Sequence, residues 1–405
     1  MDIKQRFLNY ATIYTGSSEG SSVTPSTKEQ FNLAHELEQE MNEIGLSDVL
    51  VDENCYVYGF LPATKGYENC KHIGFIAHLD IVSDFGIREI KPQVVKDYNG
   101  NAISLGTSGR FLDTEQFPHL KNALGKTIIT TDGNTVLGAD DKAGIAEIMT
   151  MCSELIEKQI PHGKISICFT PDEEIGHGAA LLDLDKFDAD YAFTVDGSSP
   201  GEIEYETFNA ASGIYEIKGI SVHPGDAKDK MVNASLVAME INRMLPEEEI
   251  PANTEGREGF FHLCSMEGDV GRAKLTYIVR DHDSHIFENR KDKMKKIETV
   301  LNKKYGKGTV TLTLKDQYKN MAEIMKQHPE VIGKARNAIS ERGLQPVSNP
   351  VRGGTDGAQL SFRGLPCPNL GTGGYAMHGP YEHVIVEEME EIVQILINIV
   401  KESYN

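Results

Sequence analysis

No apolar run in this chain approaches the ~20 residues that span a bilayer, so no membrane-crossing helix is expected. Cysteine is sparse and scattered: Cys55, Cys70, Cys152, Cys168, Cys264 and Cys367 form no C-x-x-C pair. Several lie inside apolar runs, as Cys168 does in KISICFT, which is how free, buried thiols look in a reducing compartment. The first residues, MDIKQRFLNYATIYTG, are polar and amphipathic and lack a signal-peptide core, so the expected location is the cytoplasm. Positive charge is short as well, with 40 Lys and Arg against 61 Asp and Glu and a net charge of -21. Such a surface repels phosphate backbones and anionic lipid, so neither nucleic acid nor a membrane is an expected partner. The Gly-rich loops hold no G-x-x-x-x-G-K-[ST] pattern, which argues against a nucleotide-binding protein. Tryptophan is absent, which excludes nothing. What is present, 405 residues at 40% hydrophobic and 25% charged, suffices for a large core and two or three domains.

The hydrophobic pattern predicts a helix at the start and a second one after the Gly/Ser-rich break at 16–22. Ser26 and Glu29 form an S-x-x-E capping box, Phe31, Leu33, Ala34, Leu37 and Met41 a helical stripe, and Gly45 a stop. Strands are expected at 56–61 and 72–77, the latter a continuous apolar run suited to burial on both faces. Residues 94–136 read as loops with short strands. Helix 143–156, strand 164–170, a helix near 179–184 and strand 191–195 follow, an alternation that argues for an α/β domain with a helix-flanked sheet. From about 208 the pattern changes: strand 210–222, helix 233–244, strand 274–280, helix 289–305 and strand 309–314. This suggests an inserted α+β domain of ferredoxin-like type. The α/β grammar then returns with a helix ending at Gly343, strands 346–349 and 367–370, and a long helix from Glu387 to Tyr404. The expected division is 1–207 with 320–405 as one domain and 208–319 as an insertion.

Most chemically capable residues sit at the ends of the expected strands, where ligands gather in open α/β sheets. His78 and Asp80 close the first buried strand as H-L-D. Two residues apart in extended chain, they point to one side, so one can bind a metal while the other orients it or shares the site. Asp140 and Asp141 follow Gly138-Ala139 and precede a helix. N-capping explains one carboxylate there but not two beside glycine; a carboxylate can also bridge two cations. Glu173 and Glu174 lie in FTPDEEIG after the apolar strand. Three consecutive acids there repel one another unless solvated or metal-bound, and one Glu can ligate a metal while its neighbour acts as a general base. Asp196 ends the strand in FTVDG, and His378 lies in the Gly-rich GTGGYAMHGP. Each is weak alone. Together, two His and several carboxylates suit a pair of Zn2+ ions, which can activate a water and polarise a carbonyl at once.

These residues, in this order, resemble the zinc-dependent exopeptidase family that includes aminoacylases, carnosine dipeptidases and glutamate carboxypeptidases. The resemblance rests on HLD at 78–80, GADDKAG at 138–144, PDEEIG at 171–176, VDG at 195–197 and the late His378, and it covers almost the whole chain. The variants IAHLDIVSDF, VLGADDKAGIAEIM, FTPDEEIGHGA and VRGGTDGAQLSFRGLPCPNLGTGGYAMHG are most similar to its members that act as aminopeptidases on tripeptides. The resemblance implies a catalytic domain binding two Zn2+ per subunit, with the insertion serving as lid and as surface for a homodimer. His78 and Asp196 would hold one ion, Glu174 and His378 the other, and Asp140 would bridge them across a cis bond to Asp141. Asp80 would orient His78, and Glu173 would be the general base and later the proton donor. His223, in SVHPGDA, resembles the family's lid histidine that donates to the oxyanion. Arg280 and Arg352 are candidates to clamp a substrate carboxylate, because a guanidinium fork matches it bidentately. The expected function is removal of the N-terminal residue from small peptides. A dipeptidase or N-acyl amino acid deacylase would use the same ligands, and a non-catalytic metal- or peptide-binding relative would have no need of Glu173.

Overall fold

The computed structural model describes residues 1–83 and 88–403. Asp84 and Phe85, at the end of IAHLDIVSDF, and Tyr404, the expected end of the last helix, lie outside the described residues. The chain forms two compact units. One comprises 1–205, 323–349 and 355–405, the other 206–322 and 350–354.

The first unit is built on a seven-stranded sheet in the order Ser47–Val51, Val57–Leu61, Ile165–Thr170, Ile73–His78, Tyr191–Gly197, Asn369–Gly371, Ile203–Glu204. Neighbours from Ile165–Thr170 through Asn369–Gly371 run parallel, and the outer pairings are antiparallel, so the sheet is mixed. Every residue of Ile73–His78 and Ile165–Thr170 is buried, as their continuous apolar runs require. Helix Ala139–Glu157 packs on strands Ile73–His78 and Tyr191–Gly197 and against helices Ile3–Ala11 and Val386–Glu402. Its Gly144 allows the close approach: a Cβ there would lie 1.9 Å from the carbonyl oxygen of Val195. Helix Gln30–Ile44 buries Leu33, Ala34, Leu37 and Met41 of its expected stripe, leaves Phe31 half-buried, and ends on Gly45 at φ 102. At roughly 1.5–3 kcal/mol per buried large apolar side chain, this stripe holds the helix to strands Ser47–Val51 and Val57–Leu61. The segment read as loop-rich contributes Gln93–Val95 and Ile128–Thr130 to a second, antiparallel sheet with Gly374–Tyr375 and His383–Ile385.

The second unit runs strand Asn209–Lys218, helix Ala234–Met244, strands Phe260–Gly268 and Arg272–Asp281, helix Ser284–Tyr305 and strand Val310–Tyr318. The sheet order Phe260–Gly268, Arg272–Asp281, Asn209–Lys218, Val310–Tyr318, antiparallel throughout, is ferredoxin-like. Alternate residues of Arg272–Asp281 are buried against the two helices in a core that includes Tyr215, Ile241, Leu275, Tyr277 and Met294.

Four local expectations are corrected. The Ser26–Glu29 capping box does not form: Glu29 is the N-cap without a side-chain bond, and the Ser26 hydroxyl donates instead to Asp172. The helix expected near 179–184 is displaced: residues 179–183 are non-helical, and a short helix, Leu184–Phe187, follows, capped by Asp183. Residues 346–349 make only an isolated bridge, Val347 to Glu202. Strand Phe260–Gly268, which the ferredoxin-like pattern requires, was not located; as an edge strand it is largely exposed beyond Phe261 and carries little hydrophobic signal.

Candidate metal centre

His78 is the last residue of Ile73–His78, and Asp196 lies near the end of the adjacent parallel strand Tyr191–Gly197. Their side chains therefore share the carboxyl edge of the sheet. Asp140 enters where the chain turns into helix Ala139–Glu157 after Gly138, which adopts φ 75, and the Asp140–Asp141 peptide bond is cis. Glu173 and Glu174 lie in the turn after strand Ile165–Thr170, and His378 stands at φ 59 in its loop.

The Asp140 carboxylate stands between the two imidazoles. Its Oδ1 is 2.9 Å from His78 Nε2, and its Oδ2 is 2.9 Å from His378 Nε2. Asp196 Oδ1 lies 3.5 Å from His78 Nε2, and Glu174 Oε2 lies 3.0 Å from His378 Nε2. Ligand atoms of His78, Asp140 and Glu174 all fall within 4.8 Å of one another, as do those of His78, Asp141 and Asp196. His78 is buried, whereas the His378 side chain is 53% exposed at the rim.

Asp80 has a wider task than its spacing suggested. Its carbonyl oxygen is 3.0 Å from His78 Nδ1, and its carboxylate is farther, at 3.4 Å. A bond from Nδ1–H to that carbonyl leaves Nε2 facing the carboxylates. The Asp80 carboxylate accepts from the backbone N–H of Glu173 at 2.9 Å and of Glu174 at 3.2 Å, so it holds the turn carrying both.

The electrostatics are those of a site short of positive charge. Burial pushes the Glu173 and Asp141 carboxyls well above their usual range, and Asp196 up to about 7. Glu174 is also raised, by burial and by Asp140. Burial would push His78 down, but Asp196, Asp140 and Asp80 outweigh it and hold the imidazole well above its ordinary value. Hydrogen bonds to Asp140 and Glu174 lift His378 to about 11. Burial opposes ionisation of Asp140, yet bonds from His378 and His78 hold its carboxyl below the usual range. Clustered acids sharing two imidazoles, with buried Glu174 Oε1 lacking a hydrogen-bond partner among the described residues, form a donor set that divalent cations fit.

Sequence reasoning assigned no supporting role to three residues. Asp141 accepts from the N–H of His78 at 3.1 Å and of Gly144 at 3.3 Å. Asn369 Oδ1 accepts from Asp196 N–H at 3.0 Å. Asp172, buried at φ 59, accepts from Ser26 N, Ser26 Oγ and Gln30 Nε2 at 2.7, 2.5 and 2.7 Å. The local signal for Asp172 was the third acid of the PDEE run, which has no ligand role of its own.

The remaining candidates belong to the second unit. His223 is exposed, and its Nδ1 accepts from Gly225 N–H at 3.1 Å, capping a short turn. Arg280 donates to the Arg352 carbonyl at 2.9 Å and lies over the Phe260 and Tyr318 rings. Its Nε is buried without a hydrogen-bond partner, and no carboxylate pairs with it among the described residues. Arg352 is more fully engaged, donating to the carbonyls of Gly256 and Glu258 and to Thr254 Oγ1.

Paired imidazole–carboxylate half-sites at the carboxyl edge of a mixed α/β sheet define a metal-dependent hydrolase. A curated relative from Caldanaerobacter subterraneus subsp. tengcongensis, named peptidase T, is 49% identical over 98% of both chains. One of the same name from Halothermothrix orenii is 50% identical over 98% of both. The chain belongs to peptidase family M20/M25/M40, whose family model matches residues 131–402. The fold is that of the solved aminopeptidase PepT from Bacillus cereus, with a TM-score of 0.78 at 24% identity, covering 100% of this chain and 98% of that one.

Proposed function

We propose that this chain is a cytoplasmic, zinc-dependent aminopeptidase that releases the N-terminal residue of small peptides, tripeptides above others. The observation that carries the reading is the Asp140 carboxylate, with one oxygen 2.9 Å from each of the two histidine Nε2 atoms. In this reading His78 and Asp196 would hold one Zn2+ and Glu174 and His378 a second, with Asp140 available to both. Ions bound there would lower the pKa of the attacking water and polarise the scissile carbonyl. Glu173, fixed at its backbone by Asp80, takes a proton from that water and passes it to the leaving amine. Burial pushes its carboxyl up, and cations bound nearby would bring it down towards working pH. In the second unit, Arg280, with no carboxylate partner among the described residues, clamps the substrate carboxylate, Arg352 lines the same anchor, and His223 donates to the developing oxyanion. That unit, expected at 208–319, acts as a lid and as the surface of a homodimer. Tripeptide preference is supported by the likeness to the peptidase T relatives. The free cysteines are in keeping with a reducing compartment.

Metal-stripped protein, reloaded with Zn2+, would be assayed on a tripeptide, a dipeptide and an N-acetyl amino acid side by side. The expected result is fastest cleavage of the first bond of the tripeptide, abolished by stripping and restored by zinc. Preference for either other substrate would make it a dipeptidase or deacylase. Two bound ions with no turnover of any substrate would make it a binding protein.

A further inference from the structure

We propose that Glu382 is a positioning residue that fixes the loop bearing Asp140 against the loop bearing His378. Its side chain is 1% exposed. Oε2 accepts from the backbone N–H of Leu137 at 2.5 Å and of Gly138 at 2.9 Å, and Oε1 accepts from the N–H of Asp140 at 3.0 Å. All three donors come from the segment entering helix Ala139–Glu157, where the first N–H groups have no intrahelical acceptor. Gly138, at φ 75, turns successive N–H groups towards one point, and a carboxylate is the natural occupant of such a nest. Glu382 closes a turn onto the Gly379 carbonyl at 3.1 Å, a few residues after His378, and directly precedes strand His383–Ile385. One buried carboxylate therefore ties together two stretches 242–245 residues apart in the chain.

The tie has an unequal consequence. His78 is anchored by its own strand in the main sheet, independently of Glu382. The approach of Asp140 Oδ2 to His378 Nε2, by contrast, depends on both loops that Glu382 joins. Loss of the tie therefore weakens the ion held by Glu174 and His378 more than the ion held by His78 and Asp196. This inference rests on the proposed sharing of Asp140 between two ions.

The test is Zn2+ titration of metal-stripped Glu382→Gln and Glu382→Ala against a competing chelator, with melting of the metal-free proteins alongside. Glutamine keeps the size but presents an NH2 to at least one backbone N–H. The expected result is a loss of about 10–100-fold in one of two zinc affinities, the other holding within about 3-fold. Two unchanged affinities in a Glu382→Gln protein that melts like the parent would overturn the proposal. Should neither variant fold, amide exchange in the metal-free parent decides. Leu137 and Gly138 are expected to exchange at least about 100-fold more slowly than open-loop amides, and exchange at open-loop rates would overturn the tie. Asp140→Asn is the reference: if it still binds two ions, the shared-carboxylate reading fails and this inference with it. If Asp140→Asn loses an ion while Glu382→Gln keeps both with parental affinity, only the role of Glu382 fails.

Discussion

Replacing Asp172 with Asn tests how the turn that carries Glu173 and Glu174 is held. Asn is nearly isosteric and tolerates the left-handed backbone at φ 59, so the fold of the turn itself is not challenged. The carboxylate accepts three bonds: Oδ2 from Ser26 N, and Oδ1 from Ser26 Oγ and Gln30 Nε2. The amide has one oxygen. If its NH2 takes the Oδ2 place it meets the Ser26 N–H; in the Oδ1 place it meets the Gln30 NH2. The Gln30 amide cannot simply flip, because its Oε1 already accepts from Asp172 N–H at 3.2 Å. Either arrangement leaves one buried donor unpaired, costing about 1–3 kcal/mol, and removes charge assistance from the remaining bonds, about 1 kcal/mol more. Ser26 is only half-buried, so in the cheaper arrangement its N–H reaches water, most of the unpaired-donor cost falls away and the total is about 1–2 kcal/mol. Urea unfolding of the metal-free protein, followed by a probe in the first unit, reads this directly. A Ser26→Ala variant and the double variant complete a cycle, with a coupling of about 1 kcal/mol or more expected. A Asp172→Asn protein within about 0.5 kcal/mol of the parent would show that the network contributes no net stability.

Three further outcomes are expected. Glu173→Gln should retain the metal content of the parent by metal analysis yet lose about 10²–10⁴-fold in kcat, and near-parental turnover would remove Glu173 from the proposed base role. Arg280→Ala should raise KM about 10–100-fold for peptides with a free carboxyl terminus and leave KM for amidated peptides unchanged, whereas equal effects on both would assign Arg280 to packing. Stability should fall with acid through His383. Burial pushes this imidazole down to about 4, its Nδ1 lies 2.8 Å from the Tyr381 carbonyl, and its Nε2 lies 2.8 Å from His119 Nε2. The unfolded chain, with a pKa of about 6.5, binds the extra proton first, so the native state loses about 2 kcal/mol between pH 7 and pH 5 at this site. Comparing urea midpoints of the parent and His383→Asn at the two pH values isolates that loss, and parallel changes in both proteins would refute it.

The candidate metal centre was legible because its residues are marked by abrupt local contrast. Apolar IGFIA ends on His78 and apolar ISICFT runs into PDEE, so chemistry-bearing side chains stand where buried strands stop. The long helices were legible from their stripes, as at Leu33, Leu37 and Met41. The supports of the cluster were not. Ser26 looked like the start of a capping box because the local rule weighs only neighbours, whereas its actual acceptor, Asp172, is 146 residues away. Asn369 touches Asp196 across 173 residues and leaves no periodic trace. Strand Phe260–Gly268 escaped notice for the opposite reason: held on one side only, it needs little apolar pattern.

The sheet order also has a consequence for the order of synthesis. Asn369–Gly371 lies between Tyr191–Gly197 and Ile203–Glu204, so the ribosome makes both neighbours before the strand that joins them. Asn369 bonds Glu204 across 165 residues, on the order of 10–30 s of translation. Until then the nascent sheet carries an open gap beside Asp196, and His378 has yet to be made. A chain cut short before that point has neither a closed sheet nor a complete centre. The hydrolytic machinery is thus withheld from the partly made polypeptide, itself a peptide, until almost the last turn of synthesis.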